Sequence, residues 1–109
     1  MNEWFVYILE CSDHSYYVGV TNNLDRRVWE HNNSLDTKAY TFKRRPAKLV
    51  FSESFFDPRQ AIEFEKQVKG WRREKKNALI NREWDKLPEL SKNYSKKANL
   101  NNVKIDNKD

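Results

Sequence analysis

The first twenty residues constrain the fold most, because they predict a β-hairpin that carries two tyrosines. Residues 4–9 are a short run of aromatic, β-branched and apolar residues, apolar on both alternating faces, as in a strand covered on both sides. Residues 11–15 are typical of a turn, and residues 16–20 predict a returning strand. A loop of odd length would place Tyr7 and Tyr17 on the same face of the sheet, whereas a loop of even length would separate them.

A helix and a third strand are predicted after the hairpin. Asn22 or Asn23 is expected to cap the helix, since asparagine is a favoured N-cap residue. Arg27 and His31 are four residues apart and therefore share one face of that helix. Residues 48–56 contain two apolar runs that predict the third strand.

A second long helix is predicted to begin after Asp57. An acidic N-cap followed by Pro58 is a strong start signal, and apolar residues then recur at helical spacing. Glu65 lies on or beside the apolar stripe that this spacing defines. Gly70 can interrupt or end the helix, and the apolar residues of segment 79–87 predict a further helix.

Composition indicates one globular domain. The chain has 109 residues, with 6 Phe, 5 Tyr and 4 Trp available for a core, and that length suits one domain. We expect it to span residues 1–90, followed by a disordered tail, rich in Asn and Lys, over residues 91–109. No apolar run is long enough to span a membrane and no secretory signal is visible. Because Cys11 has no partner for an internal disulfide, the cytoplasm is the expected location.

Positive charge is concentrated in two segments, 38–48 and 66–76, which hold eleven basic residues and a single acid, Glu74. Such clusters on a folded domain favour binding to a polyanion, although a solvated surface is the ordinary alternative. The residues that we predict to contact nucleic acid are Arg26, Lys43, Arg44, Arg45, Lys69, Arg72, Arg73, Lys75 and Lys76.

Gly19 also requires an explanation, because it interrupts a run of good strand formers and the chain has only 2 Gly. A glycine inside a strand often marks a bulge or the close approach of a ligand or backbone. Both explanations stay open, and we include Gly19 among the predicted nucleic-acid contacts.

Five side chains would suit phosphodiester hydrolysis if the fold brought them together. Arg27 can neutralise charge on phosphate oxygens. Glu65 can hold one divalent cation, Mg²⁺ or Mn²⁺, which would act as a Lewis acid. His31 or a hydroxyl of Tyr7 or Tyr17 can help to remove a proton from the attacking water.

Each of these side chains also has an ordinary structural explanation. Tyrosines in aromatic-rich strands are usually core residues, and a histidine near the end of a helix can be a C-terminal cation. Arg27 can pair with Glu30 or Glu3. Glu65 can pair with Lys69 at the i, i+4 spacing.

The order of these motifs resembles the GIY-YIG nuclease superfamily. Residues 5–7 (Phe-Val-Tyr) and 17–19 (Tyr-Val-Gly) are similar to its two tyrosine motifs, and Arg27 lies at the position of its arginine. Residues 64–71 resemble the later motif, whose glutamate binds the metal, and Asn77 lies where some members have a supporting asparagine. The resemblance is closest to the small single-domain bacterial subgroup, similar to the catalytic module of the excision-repair incision subunit.

The resemblance implies an α+β fold, a small three-stranded antiparallel sheet flanked by helices, and hydrolysis of DNA with one metal ion. Tyr7, or His31 with it, would handle the proton of the water. Tyr17 would position phosphate or water, Arg27 would stabilise charge, and Glu65 would hold the metal.

We therefore expect an endonuclease that acts on DNA, or on RNA as an alternative, with a structural preference and a role in repair or recombination. No membrane and no small-molecule cofactor are expected, and the oligomeric state is left open. The alternatives are a nucleic-acid-binding module that does not cleave and, as a third choice, a protein-interaction adaptor that uses the basic surface or the tail.

Overall fold

The computed structural model describes residues 3–87, which form an α+β fold as expected. The elements in chain order are β1 (Trp4–Glu10), β2 (Tyr16–Thr21), α1 (Leu24–Asn33), β3 (Lys48–Phe55), α2 (Pro58–Lys69) and α3 (Arg73–Ile80), with short 3₁₀ helices at Phe42–Arg44 and Trp84–Lys86. The chain divides into two compact units after Gly70. The predicted tail and the domain boundary at residue 90 lie outside the described residues and stay predictions.

The three strands form an antiparallel sheet in the order β2-β1-β3. Five residues connect β1 to β2, so the loop has odd length. Tyr7 pairs with Gly19, and Leu9 pairs with Tyr17. Tyr7 and Leu9 point to the same face because side chains alternate along a strand, and Tyr17 shares that face with its partner Leu9. The loop of odd length therefore places the two tyrosines on the same face, as predicted.

Gly19 lies in a regular part of the β1–β2 pairing, so the bulge considered for it is wrong. The irregularity in the sheet lies instead between Ile8 and Leu9, where β1 pairs with β3. A Cβ atom at position 19 would lie 2.6 Å from Cζ of Tyr7 and closer still to its hydroxyl. The close approach that requires glycine is thus made by the Tyr7 ring of the protein itself.

Helix α1 covers the tyrosine face of the sheet. Of the two candidate caps, Asn23 is the N-cap, and its side chain accepts a hydrogen bond from the backbone of Arg26. Leu24 and Val28, together with Tyr17, pack against a cluster of buried residues, which are Tyr7, Leu9, Cys11 and Ala47. This packing fixes the helix face that carries the predicted arginine and histidine.

Helix α2 begins and ends where the sequence predicts. The side chain of Asp57 accepts from the backbone of Arg59, Pro58 is the first helical residue, and Gly70 is the C-cap. The helix packs across β1 and β2. Its buried residues are Ala61, Glu65 and Val68. A carboxylate therefore lies within the apolar stripe of this helix.

The helix predicted over residues 79–87 is wrong in extent. Helix α3 ends at Ile80, and a separate 3₁₀ turn follows at Trp84–Lys86. Arg82 has a φ of 58°, and the N–H groups of Arg82 and Glu83 bond back to the carbonyls of Leu79 and Ala78. This is a Schellman ending, in which arginine occupies the left-handed position that glycine usually takes.

Within residues 3–87, no helix combines the length and the apolar character needed to cross a bilayer.

Candidate active site

Tyr7 lies at the base of the candidate site, with only 1% of its surface exposed. Its ring centroid is 6.3 Å from that of Tyr17 and 5.9 Å from that of His31. The rings of Tyr17 and His31 are 4.7 Å apart and meet edge to face, a favourable arrangement for aromatic rings. One strand pair and one helix thus bring three of the predicted residues together.

His31 connects the Tyr7 phenol to a threonine. Its Nε2 is 2.9 Å from the Tyr7 hydroxyl, and its Nδ1 is 2.9 Å from Oγ1 of Thr41. The Thr41 hydroxyl also makes a long contact, 3.4 Å, with the carbonyl of His31. If that hydroxyl donates to the carbonyl, it accepts from Nδ1–H, and we infer that Nε2 is the acceptor for the proton of Tyr7.

Both partners of this hydrogen bond are neutral at pH 7. Burial, and then the charge of Arg27, lower the pKa of His31 to about 4, while Glu30 partly opposes the shift. Burial, and then the neighbouring Tyr17, raise the pKa of Tyr7 to about 12, although Arg27 acts in the opposite direction. The pair therefore holds a single shared proton between two uncharged groups.

Arg27 extends from α1 toward the phenol. Its Nη1 donates to Oε1 of Glu30 at 3.0 Å, so the predicted pairing with Glu30 forms. Burial alone would lower the pKa of Arg27, but the hydrogen bonds to Glu30 and Tyr7 and the nearby phenols together raise it. The guanidinium is half-buried, permanently charged and held beside the tyrosine hydroxyl.

Glu65 places a nearly buried carboxylate on α2, within reach of the phenol by its charge. Only 8% of the residue is exposed, and its charge is close enough to contribute to the raised pKa of Tyr7. Its Oε2 is 2.7 Å from Nζ of Lys69, so the second ordinary pairing expected from the sequence also forms. The hydrogen bond to Glu65 is the main cause of a raised pKa at Lys69.

Glu65 fits the role of a single protein ligand for a hard divalent cation. Across residues 3–87, no three His, Cys, Asp or Glu side chains are grouped so that they could hold a metal together. Mg²⁺ nevertheless commonly keeps several waters and binds through one or two carboxylates. The buried carboxylate of Glu65 meets that requirement.

Arg44, predicted as a nucleic-acid contact, is engaged within the protein. Its Nε donates to Oδ2 of Asp13 at 3.0 Å, and its Nη1 donates to the carbonyl of Tyr40 at 2.8 Å. The guanidinium lies 4.0 Å above the Tyr40 ring, which in turn lies 5.8 Å from the ring of Tyr17. Arg44 therefore fastens the hairpin loop to the segment that borders the site.

Arg45 is tied down in the same way at the end of α1. Its Nε donates to the carbonyl of His31 at 3.0 Å, and its Nη2 donates to the carbonyl of Ser34. The guanidinium also lies 4.7 Å from the centre of the Phe42 ring. These bonds satisfy carbonyls that the helix leaves free at its C-terminus.

The other predicted contacts differ in exposure. Those with exposed side chains are Arg26, Lys43, Lys69, Arg72 and Arg73. Lys75 is buried, its ammonium lies 3.8 Å from the Trp71 ring centre, and burial lowers its pKa to about 8. Lys76 is half-buried, and burial and then Arg73 lower its pKa. Asn77 lies on α3, and its supporting role stays a prediction.

Sequence reasoning missed two neighbours of the site. Thr41 is 1% exposed and fixes the orientation of His31, but it lies in an irregular segment whose pattern gives no signal. Tyr40 was likewise not selected, although it packs on Tyr17.

A comparison with family models identifies the domain. Residues 3–78 match the GIY-YIG catalytic domain. The chain belongs to the GIY-YIG family. It has the nuclease-type fold of that family, and the functional roles of Tyr7, Tyr17, Arg27, His31 and Glu65 stay predictions.

Relatives in other organisms cover most of the same chain. The UPF0213 protein YazA of Bacillus subtilis is 43% identical over 79 residues, which are 72% of this chain and 79% of the relative. The UPF0213 protein CPE1444 of Clostridium perfringens is 43% identical over 96 residues, 88% of this GIY-YIG protein and 98% of the relative. A solution NMR structure of the UPF0213 protein BH0048 from Bacillus halodurans is 39% identical, with a TM-score of 0.49, and the match covers 72% of this chain and 83% of that one.

Proposed function

We propose that this protein is a divalent-metal-dependent endonuclease that hydrolyses phosphodiester bonds in DNA, selects its substrate by structure, and acts in DNA repair or recombination. The observation that carries the proposal is the set of groups around the Tyr7 phenol: an imidazole hydrogen-bonded to it, a guanidinium beside it, and a buried carboxylate whose charge acts on it. These groups come from His31, Arg27 and Glu65, on two different helices. Family membership supports the same chemistry.

Proton transfer is assigned to Tyr7 and His31 together. A phenol with a pKa of about 12 is protonated at pH 7 and cannot accept a proton from water unless it loses its own. The hydrogen bond to Nε2 of His31 provides that path, since the neutral ring can accept the phenolic proton. A phosphate diester bound near Arg27 would offset the positive charge that helps to lower the pKa of His31 and so make the imidazole a stronger base.

Arg27 and Tyr17 are assigned to the phosphate. The guanidinium of Arg27 presents several N–H donors in a plane and remains charged, which suits it to the charge that develops on phosphate oxygens. Glu30 holds the guanidinium in place through Nη1. Tyr17 packs on His31 at the edge of the site, from which its hydroxyl would position phosphate or water.

Glu65 would hold the cation, Mg²⁺ or Mn²⁺, which when bound supplies Lewis-acid stabilisation of the leaving oxygen. Exposed basic residues would hold the nucleic acid through its phosphates, independently of base sequence. Those assigned to this role are Arg26, Lys43, Lys69, Arg72 and Arg73.

Cleavage assays on nicked, branched and single-stranded DNA with Mg²⁺ or Mn²⁺ test the proposal. We expect the wild-type protein to cleave at least one of these substrates. Tyr7→Phe, which removes only a hydroxyl, should lower the rate by about 10²–10⁴-fold, as expected for the loss of a general base. Arg27→Ala should lower it by about 10²–10³-fold, the usual effect of losing one charge-stabilising group, and Glu65→Gln should abolish metal-dependent cleavage.

Matched controls are available close to each residue. Tyr16→Phe removes a hydroxyl from the opposite face of β2, Glu63→Gln neutralises an exposed carboxylate on α2, and Arg59→Ala removes an exposed guanidinium. Each control should cleave at the wild-type rate. Cleavage at the wild-type rate by Arg27→Ala or Glu65→Gln would contradict the assignment. If the protein binds every DNA substrate but cleaves none, the endonuclease proposal is wrong and the alternative, a nucleic-acid-binding module that does not cleave, takes its place.

A further inference from the structure

Lys69 holds the carboxylate that is assigned to the metal. Its Nζ lies 2.7 Å from Oε2 of Glu65, a short, charge-assisted contact. The two side chains differ greatly in environment, since that of Glu65 is 10% exposed and that of Lys69 is 57% exposed. A buried acid is thus paired with a cation that reaches it from solvent.

We propose that Lys69 is a built-in competitor of the divalent cation: it neutralises Glu65 in the metal-free protein and is displaced when the cation binds. The inference rests on the proposed function, because it takes Glu65 as the metal ligand. It assigns to Lys69 control of metal affinity, a role separate from contact with DNA phosphates.

The pairing stabilises the metal-free protein. A nearly buried carboxylate without a partner is costly, and a lysine one helical turn away can neutralise it. Lys69 is the last residue of α2, directly before the cap Gly70, so its side chain extends from the end of the helix. Displacement of the ammonium therefore moves a mostly exposed side chain into water and leaves the buried packing of the helix unchanged.

The same pairing opposes binding of the metal. A divalent cation on Glu65 and the ammonium of Lys69 would place three positive charges around one carboxylate, and these like charges repel one another. Binding must therefore break the ion pair, and the free energy of that pair is subtracted from the affinity for the metal.

Titration of the full chain with Mn²⁺, with free Mn²⁺ measured by electron paramagnetic resonance, tests this role without relying on activity. We expect Lys69→Gln to bind Mn²⁺ about fivefold more tightly than wild type, the factor that corresponds to loss of a partly exposed ion pair. Lys69→Arg keeps the charge and should retain the wild-type affinity. Lys66→Gln removes the same net charge from an exposed position of α2 and serves as the matched control.

A second readout is thermal unfolding in EDTA and in Mn²⁺. Lys69→Gln should lower the Tm in EDTA, because Glu65 loses its partner, and Mn²⁺ should raise the Tm by more than it does in wild type. Lys66→Gln should behave as wild type in both conditions.

Glu65→Gln separates the competition by Lys69 from the assignment of Glu65 as the metal ligand. If it abolishes Mn²⁺ binding while Lys69→Gln binds with wild-type or weaker affinity, the competition is refuted and the proposed metal ligand stands. If Glu65→Gln binds Mn²⁺ as well as wild type, or if no variant binds, the metal assignment itself fails.

Discussion

Gly19 leaves space for the side chain of the residue that it faces across the sheet. The chain pairs it with Tyr7, whose phenol occupies the volume that a side chain at position 19 would need. No glycine among the described residues has a positive φ, so the requirement here is for space and not for an unusual backbone conformation. The absence of one methyl group on β2 thereby allows a tyrosine on β1 to reach the imidazole of His31.

Gly19→Ala should therefore be destabilising and should reduce activity. The added Cβ would lie 2.6 Å from Cζ of a buried ring, and overpacking of this kind costs about 1–3 kcal/mol. Displacement of the ring would also break the hydrogen bond to His31. Urea unfolding and the cleavage assay measure the two effects.

Gly70→Ala is the control for this substitution. Its Cβ would meet only the Gln67 carbonyl at 3.6 Å and the Lys66 carbonyl at 3.9 Å, and the backbone there is already in the right-handed helical region. It should leave stability unchanged or raise it by up to about 1 kcal/mol. Equal losses in the two variants would show that the space beside Tyr7 is unimportant.

The shared face of Tyr7 and Tyr17 can be predicted from the sequence, but the hydrogen-bond partners of every charged side chain cannot. Alternation along the strands and the number of residues in the loop fix the shared face of Tyr7 and Tyr17, because both are local properties. Backbone carbonyls and Asp13 hold Arg44 and Arg45, and the contact of these two residues with nucleic acid stays a prediction. Charge alone gives no information on whether such a partner will be near in the fold.

Helix α1 is the element that joins the core to the site. One side packs on the tyrosine face of the sheet, and the adjacent side presents Arg27 and His31. Its start depends on Asn23, whose side chain accepts from the backbone of Arg26 and whose own backbone N–H donates to Thr21. Its end is held by Arg45 through the carbonyl of His31. Both ends of the helix are thus defined by specific side chains.

Asn23→Ala should lower the free energy of unfolding by about 1 kcal/mol, the usual cost of losing an N-cap. Asn22→Ala changes the neighbouring exposed asparagine, which does not cap the helix, and should have an effect near zero. Urea unfolding of both variants gives the comparison. A larger loss for Asn22→Ala would mean that the cap has been assigned to the wrong residue.

The ends of a helix could be predicted where the residues at those ends follow common capping preferences. The start of α2 at Pro58 and its end before Gly70 agree with the sequence, since an acidic cap and a terminal glycine are strong signals. The end of α3 was missed because Arg82, and not glycine, adopts the left-handed conformation there. Thr41 was missed because irregular segments have no periodicity from which burial can be inferred.

The stability of the whole protein depends on pH through one buried imidazole. His31 is 5% exposed, and its pKa in the folded protein is about 4, compared with an ordinary value of 6.5. Between these two pH values, the unfolded chain binds a proton that the folded chain does not. The stabilisation is therefore complete above pH 6.5 and is lost as the pH falls toward 4.

The free energy of unfolding should fall by up to about 3 kcal/mol between pH 6.5 and pH 4 because of His31. Urea unfolding across this range measures the slope, which His14→Asn should leave unchanged and His31→Asn should reduce. NMR titration of the wild-type imidazole provides a measurement that does not depend on how well the variant folds. A His31 ring that protonates near pH 6.5 would contradict the expectation.

The two ring nitrogens of His31 link three positions of the chain. Nε2 contacts the hydroxyl of Tyr7 on β1, and Nδ1 contacts the hydroxyl of Thr41 in the segment before β3. Replacing the imidazole would therefore remove a hydrogen-bond partner from two buried hydroxyls in one step. We expect combined substitutions at positions 7, 31 and 41 to be tolerated better than substitution of His31 alone.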